Sequence, residues 1–159
     1  MRIGIGYDSH RFAAGRRLVL GGVEIAAPAG LAGHSDADAI THAIIDALLG
    51  AAALGDIGTH FPPDDERWRD ADSVALLKAT VDRLAEHNYH VVNVDVTAVC
   101  ETTRIAPYTR AMRERIAAAI GIAADHVSVK GKTNEGMGWI GRGEGVAVVA
   151  VAAIAMIQE

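Results

Sequence analysis

Three side chains suited to metal binding lie in the first third of this sequence. Asp8 and His10 stand two residues apart near the end of an alternating apolar run, and His42 follows at the start of a helical pattern. If the extended conformation continues through residue 10, Asp8 and His10 point to one side, because side chains alternate along a strand. One carboxylate and two imidazoles with an open fourth position are how a catalytic zinc is usually held. The pattern therefore predicts a zinc site.

The helix that carries His42, predicted over residues 36–53, has a polar face. Asp38, His42 and Asp46 recur every four residues and so lie along one side. An acid one turn away can accept a hydrogen bond from the imidazole nitrogen that does not touch the metal, and Asp46 is predicted to do so. The alternative is that Asp8 and His10 form a chance pair and that this helix face is merely solvated.

The glycine-dense segment 130–145 carries a second chemical signal. Lys132, Thr133 and Arg142 lie among glycines, which let backbone amides and cations approach a phosphate without obstruction. Glu135 fits the same segment if a divalent cation lies between its carboxylate and the phosphates. The alternative is that the glycines only shape tight turns and that Trp139 packs in the core.

Length and composition restrict the class of protein. A chain of 159 residues, 50% of them hydrophobic, is expected to form one domain over residues 1–159. The net charge of -5 without a basic cluster argues against a nucleic-acid partner. The longest apolar run, 146–157, is shorter than the ~20 residues of a membrane-spanning helix. Cys100 is the only cysteine, and the sequence lacks a signal-peptide pattern, so a cytoplasmic protein without membrane contact is expected.

The predicted elements follow one another in a mixed α/β order. Strands are predicted over 2–8, 92–100, 127–132 and 146–157, helices over 36–53, from 73 and over 105–120, a hairpin at Gly21-Gly22, and an irregular loop over 55–66. Apolar residues in both phases of 146–157 predict a strand covered on both faces. One sheet face can pack on the chain's own helices and the other on neighbouring subunits, so a homo-oligomer is expected.

Several blocks of this sequence, taken together and in order, resemble the family of 2-C-methyl-D-erythritol 2,4-cyclodiphosphate synthases. The blocks are Asp8-Ser9-His10 and residues 34–38, 55–58, 132–135 and 141–145. The resemblance implies an enzyme of non-mevalonate isoprenoid biosynthesis that converts 4-diphosphocytidyl-2-C-methyl-D-erythritol 2-phosphate into the 2,4-cyclodiphosphate and releases CMP. It implies a homotrimer of a small α/β domain, with helices on one face of a mixed sheet, trimer packing through the other face, and active sites between subunits.

The same resemblance assigns roles at the reacting end of the substrate. Asp8, His10 and His42 correspond to zinc ligands, and Glu135 to the ligand of a second divalent cation, magnesium or manganese. His34 and Thr133 correspond to residues that stabilise the transition state. Contacts to the substrate phosphate and to the methylerythritol part are implied for Ser35, Asp56, Ile57, Gly58, Phe61, Asp64 and Asp65.

The nucleotide end and the trimer axis are assigned in the same way. Cytidine binding is implied for Cys100, Arg104, Ile105, Ala106, Lys132 and Thr133. The sequence departs from the family pattern at Arg104, where many relatives have Lys, and a guanidinium meets a diphosphate in a different geometry from an amine. Trp139, Arg142 and Glu144 match residues near the axis, where the family has a channel reported to hold isoprenoid diphosphates.

Two other classes of protein use related ligand sets. A zinc-dependent phosphohydrolase places a metal-bound water in the open position. A non-catalytic trimeric module would instead close a structural zinc site with a fourth protein ligand, for which Cys100 is the candidate.

Overall fold

A five-stranded mixed sheet forms the frame of the structure, a computed structural model that describes residues 1–62, 64–68 and 71–157. The strands stand in the order β4 (Gly30–Leu31), β1 (Arg2–Ala13), β7 (Gly145–Met156), β5 (Tyr89–Val99) and β6 (Val127–Lys132). β7 runs antiparallel to β1 and β5, whereas β5 and β6 are parallel. The carboxyl ends of β1, β5 and β6 therefore lie at one edge of the sheet. The predicted hairpin is confirmed as β2 (Leu18–Leu20) and β3 (Val23–Ile25).

The helices cover one face of this sheet, as expected. They are α1 (Ala39–Ala52), α2 (Ile57–His60), α3 (Ser73–Glu86), α4 (Thr109–Ile120) and α5 (Gly138–Gly141), with short 3-10 turns at Glu66–Trp68, Ala106–Tyr108 and Ala124–His126. The largest buried side chains come from α1, α3, α4, the hairpin and β4. The loop predicted to be irregular over 55–66 contains the single turn of α2, and its Pro63 lies outside the described residues.

The first turn of α1 depends on a buried carboxylate. Asp38 is fully buried and accepts hydrogen bonds from the amides of Gly21, Gly22 and Thr41 and from the Thr41 hydroxyl, at 2.6–3.1 Å. Burial raises the pKa of Asp38 above its ordinary value, against the effect of these hydrogen bonds. The interpretation of positions 38, 42 and 46 as a solvated face is therefore wrong: Asp38 caps a helix that starts at residue 39, and it ties the hairpin to α1.

Glycine and alanine allow α1 to lie directly on β1. A methyl group added to Gly6 would stand 1.9 Å from the carbonyl oxygen of Ala43, and one added to Gly4 would stand 2.0 Å from that of Ala47. Any larger side chain at these two positions would push the helix away from the strand. This close approach puts His42 over the end of β1, where Asp8 and His10 are located.

The opposite face of the sheet carries apolar side chains that the single chain leaves uncovered. Ile3, Ile5 and Tyr7 of β1 are 69%, 71% and 55% exposed, and Val149 and Val151 of β7 lie beside them. The chain thus covers one face of β7 with its own helices, and the cover of the other face by neighbouring subunits stays a prediction. No helix in the described ranges has the length and apolar character needed to cross a membrane.

Replacement of Gly6 tests the contact between α1 and β1. Gly6→Ala is expected to lower the free energy of unfolding by about 2–4 kcal/mol, because overpacking displaces α1. Gly50→Ala, in α1 on the other side of this contact, is the control, since the nearest atom of β1 to its added methyl is 3.9 Å away, and its effect should stay within about 1 kcal/mol. Urea unfolding with a chelator present, at one fixed protein concentration, measures both. Equal stability of Gly6→Ala and the parent would contradict this packing argument.

Candidate active site

The three predicted ligands converge on one point at the edge of the sheet. Asp8 Oδ2 lies 2.8 Å from His10 Nε2 and 3.2 Å from His42 Nδ1. Within the described residues, these three form the one group of His, Cys, Asp or Glu side chains whose ligand atoms all fall within 4.8 Å of one another. Their spacing and their partial exposure suit an ion that keeps an open coordination position.

The hydrogen bonds of His10 turn its Nε2 toward this point. Its Nδ1 lies 2.7 Å from the carbonyl oxygen of Ala32, which can only accept, so Nδ1 carries the proton. Nε2 is buried and, among the described residues, has no hydrogen-bond partner. Its short distance to Asp8 is an ionic contact without the alignment of a hydrogen bond. An unpartnered imidazole nitrogen facing a carboxylate fits a metal ligand.

The other ring nitrogen of His42 has different partners from those predicted. His42 Nε2 lies 2.8 Å from the hydroxyl of Ser73 and 3.1 Å from that of Ser35. The carboxylate of Asp46 instead accepts a hydrogen bond from the amide of Ile57 at 2.8 Å. The prediction that Asp46 orients His42 is wrong, because the segment that starts α3 folds over the imidazole and supplies a nearer oxygen.

The charges of the ligands favour a cation. Burial by itself would raise the pKa of Asp8, but the short contacts and charge interactions with the imidazoles of His10 and His42 hold it well below its usual range. Burial works the other way on His10, and the neighbouring Asp8 carboxylate outweighs it and raises the pKa of the imidazole. An ionised acid beside two imidazoles thus attracts a proton or a metal ion to the same place.

The ligand cluster opens into a pocket of about 240 Å³. Several residues of the predicted substrate site line it beside the three ligands, namely His34, Ser35, Ile57, Gly58 and Phe61. His34 Nε2 is buried and has no hydrogen-bond partner among the described residues. Trp68 and Leu76 also line the pocket and were missed from the sequence. Trp68 packs edge-on against Phe61 at 5.1 Å, and no local spacing pattern points to it.

Four of the aspartates predicted for the site do not line this pocket. Asp56 caps α2 by accepting hydrogen bonds from the amide and hydroxyl of Thr59, which lower its pKa. Asp65 pairs with the guanidinium of Arg67 on the surface, and Asp64 is exposed. Asp46 supports α2 through Ile57, and burial raises its pKa. Asp56, Asp64 and Asp65 thus belong to the segment 55–66, and Asp46 of α1 holds that segment in place.

The predicted nucleotide residues come together in a second pocket, of about 160 Å³. It is lined by Cys100, Glu101, Thr103, Arg104, Ile105, Ala106, Gly131, Lys132 and Thr133. Gly131 allows Ile105 to pack against β6, since an added methyl group would stand 2.7 Å from its side chain. Glu101 accepts a hydrogen bond from the amide of Asn134 at 2.9 Å and so fixes the turn after β6.

The two pockets lie at the same edge of the sheet. Asp8, Val148, Ala98 and Gly131 are paired in one row across β1, β7, β5 and β6, which separates the ends of the row by about 14 Å. Among the described residues the two pockets share no lining side chain. Cys100 therefore stays outside the metal cluster, and a four-ligand structural site that includes its sulfur is not formed.

The remaining predicted residues flank these pockets. Glu135 is exposed and accepts a hydrogen bond from the Thr133 hydroxyl at 3.1 Å. Trp139 and Glu144 line a wide cavity of about 830 Å³ together with His10. Arg142 pairs with Glu144 at 2.7 Å. Trp139 is 37% exposed, so its interpretation as a core residue is wrong.

Comparison with known proteins places the chain among relatives over nearly its full length. Residues 1–155 match the YgbB family. The chain belongs to the YgbB family. A curated member of similar length, the 2-C-methyl-D-erythritol 2,4-cyclodiphosphate synthase of Symbiobacterium thermophilum, is 59% identical over 155 residues, which are 98% of this chain and 99% of that protein.

Solved structures of YgbB-type domains have the same fold. The bifunctional IspDF from Campylobacter jejuni superimposes with a TM-score of 0.95 and 36% identity, over 99% of this chain and 42% of that longer chain. IspF of Plasmodium falciparum, in a complex with CDP, superimposes with a TM-score of 0.86 and 32% identity, over 99% of this chain and 97% of that one.

Removal of one imidazole tests the metal cluster of this YgbB member. His42→Ala is expected to lose nearly all zinc bound by the purified protein, because one acid and one imidazole remain. His87→Ala, which removes an exposed imidazole at the end of α3, should keep the zinc content of the parent. Elemental analysis after dialysis, with circular dichroism to verify folding, measures the difference. Full zinc content in folded His42→Ala would exclude His42 as a ligand.

Proposed function

We infer that this chain catalyses the reaction of its family, the conversion of 4-diphosphocytidyl-2-C-methyl-D-erythritol 2-phosphate into 2-C-methyl-D-erythritol 2,4-cyclodiphosphate with release of CMP. The observation that carries this inference is the pair of pockets at one sheet edge, one with an Asp8, His10 and His42 cluster and one with the nucleotide residues. The identity of 59% to a curated synthase supports the same reaction.

The metal cluster would supply charge neutralisation at the β-phosphate. Asp8, His10 and His42 would hold zinc, which provides a Lewis acid when bound. Glu135, exposed beside Thr133, would hold magnesium or manganese together with phosphate oxygens. A chain with a net charge of -5 can accept a strongly anionic substrate only where cations and donors are concentrated.

The residues around the ligands supply fixed hydrogen-bond donors. The unpartnered Nε2 of His34 opens to the same pocket as the ligand cluster. The Ser35 hydroxyl accepts a hydrogen bond from the amide of Ala37, so its own proton is free for a phosphate oxygen. Donors that are already in place where charge develops lower the barrier without reorganisation.

The reaction itself asks little of a general base. The attacking 2-phosphate is ionised near neutral pH, and it forms a bond to the β-phosphorus while the bond to the CMP oxygen breaks. Positioning of two anionic groups and neutralisation of their charge therefore carry the catalysis. Lys132, Thr133 and Arg104 would hold the departing nucleotide in the second pocket.

Product analysis distinguishes this reaction from phosphate hydrolysis. Incubation of the cytidyl substrate with zinc, magnesium and the purified protein is expected to give the phosphorus NMR signals of a cyclic diphosphate and of CMP in equal amounts. A phosphohydrolase would give inorganic phosphate or a linear product instead, and that result would overturn the proposed function. The His42→Ala variant under the same conditions controls for contaminating activity.

The proposal includes a homotrimer with active sites between subunits. The uncovered apolar face around Ile5, Tyr7 and Val151 supports association, because a surface of this kind is usually buried against another chain. The wide cavity next to Trp139 and Glu144 would lie near the trimer axis and is the place where an isoprenoid diphosphate would bind. A cytoplasmic location belongs to the same proposal and is supported by the unpaired, buried Cys100.

Mixed oligomers test whether one substrate contacts two subunits. His42→Ala and Lys132→Ala are each expected to be inactive, since each damages a different pocket. When the two are unfolded together and refolded as mixtures, sites that combine an intact metal pocket with an intact nucleotide pocket should restore roughly a quarter of the parent activity. Each variant refolded alone is the control. Mixtures as inactive as the controls would place both pockets of a site on the same chain.

A further inference from the structure

We propose that Ser73, held by Asp36, is a positioning residue that fixes the tautomer of the zinc ligand His42. The inference rests on the zinc site of the proposed function and adds the hydrogen bonds that link Asp36, Ser73 and His42. Neither Ser73 nor Asp36 belongs to the Asp8, His10 and His42 cluster. Their effect on metal binding therefore passes through the imidazole of His42.

Ser73 is held by hydrogen bonds of both its backbone amide and its hydroxyl. Ser73 is the first residue of α3 and is fully buried. Its hydroxyl lies 2.8 Å from His42 Nε2 and donates a short hydrogen bond to Asp36 Oδ1. The amide of Ser73 donates to the other oxygen of the same carboxylate at 3.0 Å. Asp36 thus grips both polar groups of Ser73 and leaves the hydroxyl oxygen facing the imidazole.

Proton counting decides the direction of the contact. A serine hydroxyl has one proton, and the Ser73 proton goes to Asp36. Its oxygen can therefore only accept from His42, which draws the imidazole proton to Nε2. Nδ1, which lies 3.2 Å from the Asp8 carboxylate and would otherwise share the proton with it, is then the nitrogen that can bind the metal. A ligating histidine is commonly oriented by such a partner, which also increases its basicity.

Asp36, the acceptor for Ser73, is itself held in place by hydrogen bonds. The backbone amide of Asp36 donates to the carbonyl of Ala71, and its carboxylate accepts a hydrogen bond from the amide of Asp38 at 3.2 Å. These bonds join the segment before α1 to the segment before α3. The Asp36 carboxylate is therefore held where the Ser73 hydroxyl needs its acceptor.

The contact between Ser73 and His42 also leaves the Ser35 hydroxyl available to the substrate. The Ser35 hydroxyl is the second oxygen near His42 Nε2, at 3.1 Å, and it is the group proposed to contact the substrate phosphate. With Ser73 as the nearer acceptor, Ser35 keeps its own proton for the phosphate. Loss of Ser73 would leave Ser35 as the remaining partner of the imidazole proton.

The test uses three variants of the full-length protein. Ser73→Ala removes the acceptor, Asp36→Asn weakens the anchor while keeping its shape, and Thr80→Val is the matched control. Thr80 lies in the same helix as Ser73 and is fully buried. Its hydroxyl donates a hydrogen bond to the carbonyl of Leu76 and to none of the metal ligands. Zinc affinity is measured by competition with a chromophoric chelator, and the tautomer of His42 in metal-free protein by long-range proton–nitrogen NMR.

The parent is expected to carry the His42 proton on Nε2. Ser73→Ala should weaken zinc binding by about 10- to 100-fold and shift the His42 proton toward Nδ1, where the Asp8 carboxylate accepts it, because Ser35 is the more distant acceptor at Nε2. Thr80→Val should change neither quantity. Asp36→Asn should weaken binding in the parent and cause no further loss in the Ser73→Ala background, since both act through one chain. If Ser73→Ala fails to fold, Asp36→Asn alone decides through the same two readouts.

The outcomes separate this inference from the zinc site beneath it. A parent protein that binds no zinc would overturn the proposed metal site. A parent that binds zinc, with unchanged affinity and unchanged tautomer in Ser73→Ala or Asp36→Asn, would overturn the positioning role alone. An equal loss in Thr80→Val would also overturn it, because any buried hydroxyl of α3 would then have the same effect.

Discussion

The close contact between α1 and β1 is the constraint on which the site depends. Gly4 and Gly6 present bare backbone to α1, and the helix lies near enough for His42 to reach a carboxylate on the strand. Metal geometry tolerates errors of only a few tenths of an ångström in ligand position. Small residues at this one crossing therefore determine whether three ligands from two elements can share an ion.

Orientation of the imidazoles is the second requirement. His10 is turned by the carbonyl of Ala32, and His42 by the hydroxyl of Ser73. In each ring one nitrogen has a hydrogen-bond partner away from the cluster, and the other nitrogen, Nε2 of His10 and Nδ1 of His42, faces Asp8. The protein thus prepares a compact negative site that suits a divalent cation, in a chain that is acidic overall.

Sheet topology brings the second pocket to the first. Because β1, β5 and β6 end at the same edge, residues from three distant parts of the sequence meet there. The apolar groups on the opposite face are not covered by the helices of the chain itself. One face of the sheet therefore carries the helices that build the site, and the other is the face proposed for assembly.

The sequence by itself determined those features that depend on residues close together along the chain. The alternation around Asp8 and His10 predicted their common side, the Gly-Gly hairpin and the strand 127–132 follow from their residue types, and the sequence blocks point to the family. Tertiary structure decided the partners of these groups. Ser73 rather than Asp46 faces His42, and Asp38 is buried under the hairpin. These contacts join residues that are 31 and 17 positions apart, and periodicity within one element carries no information about which segment folds over another.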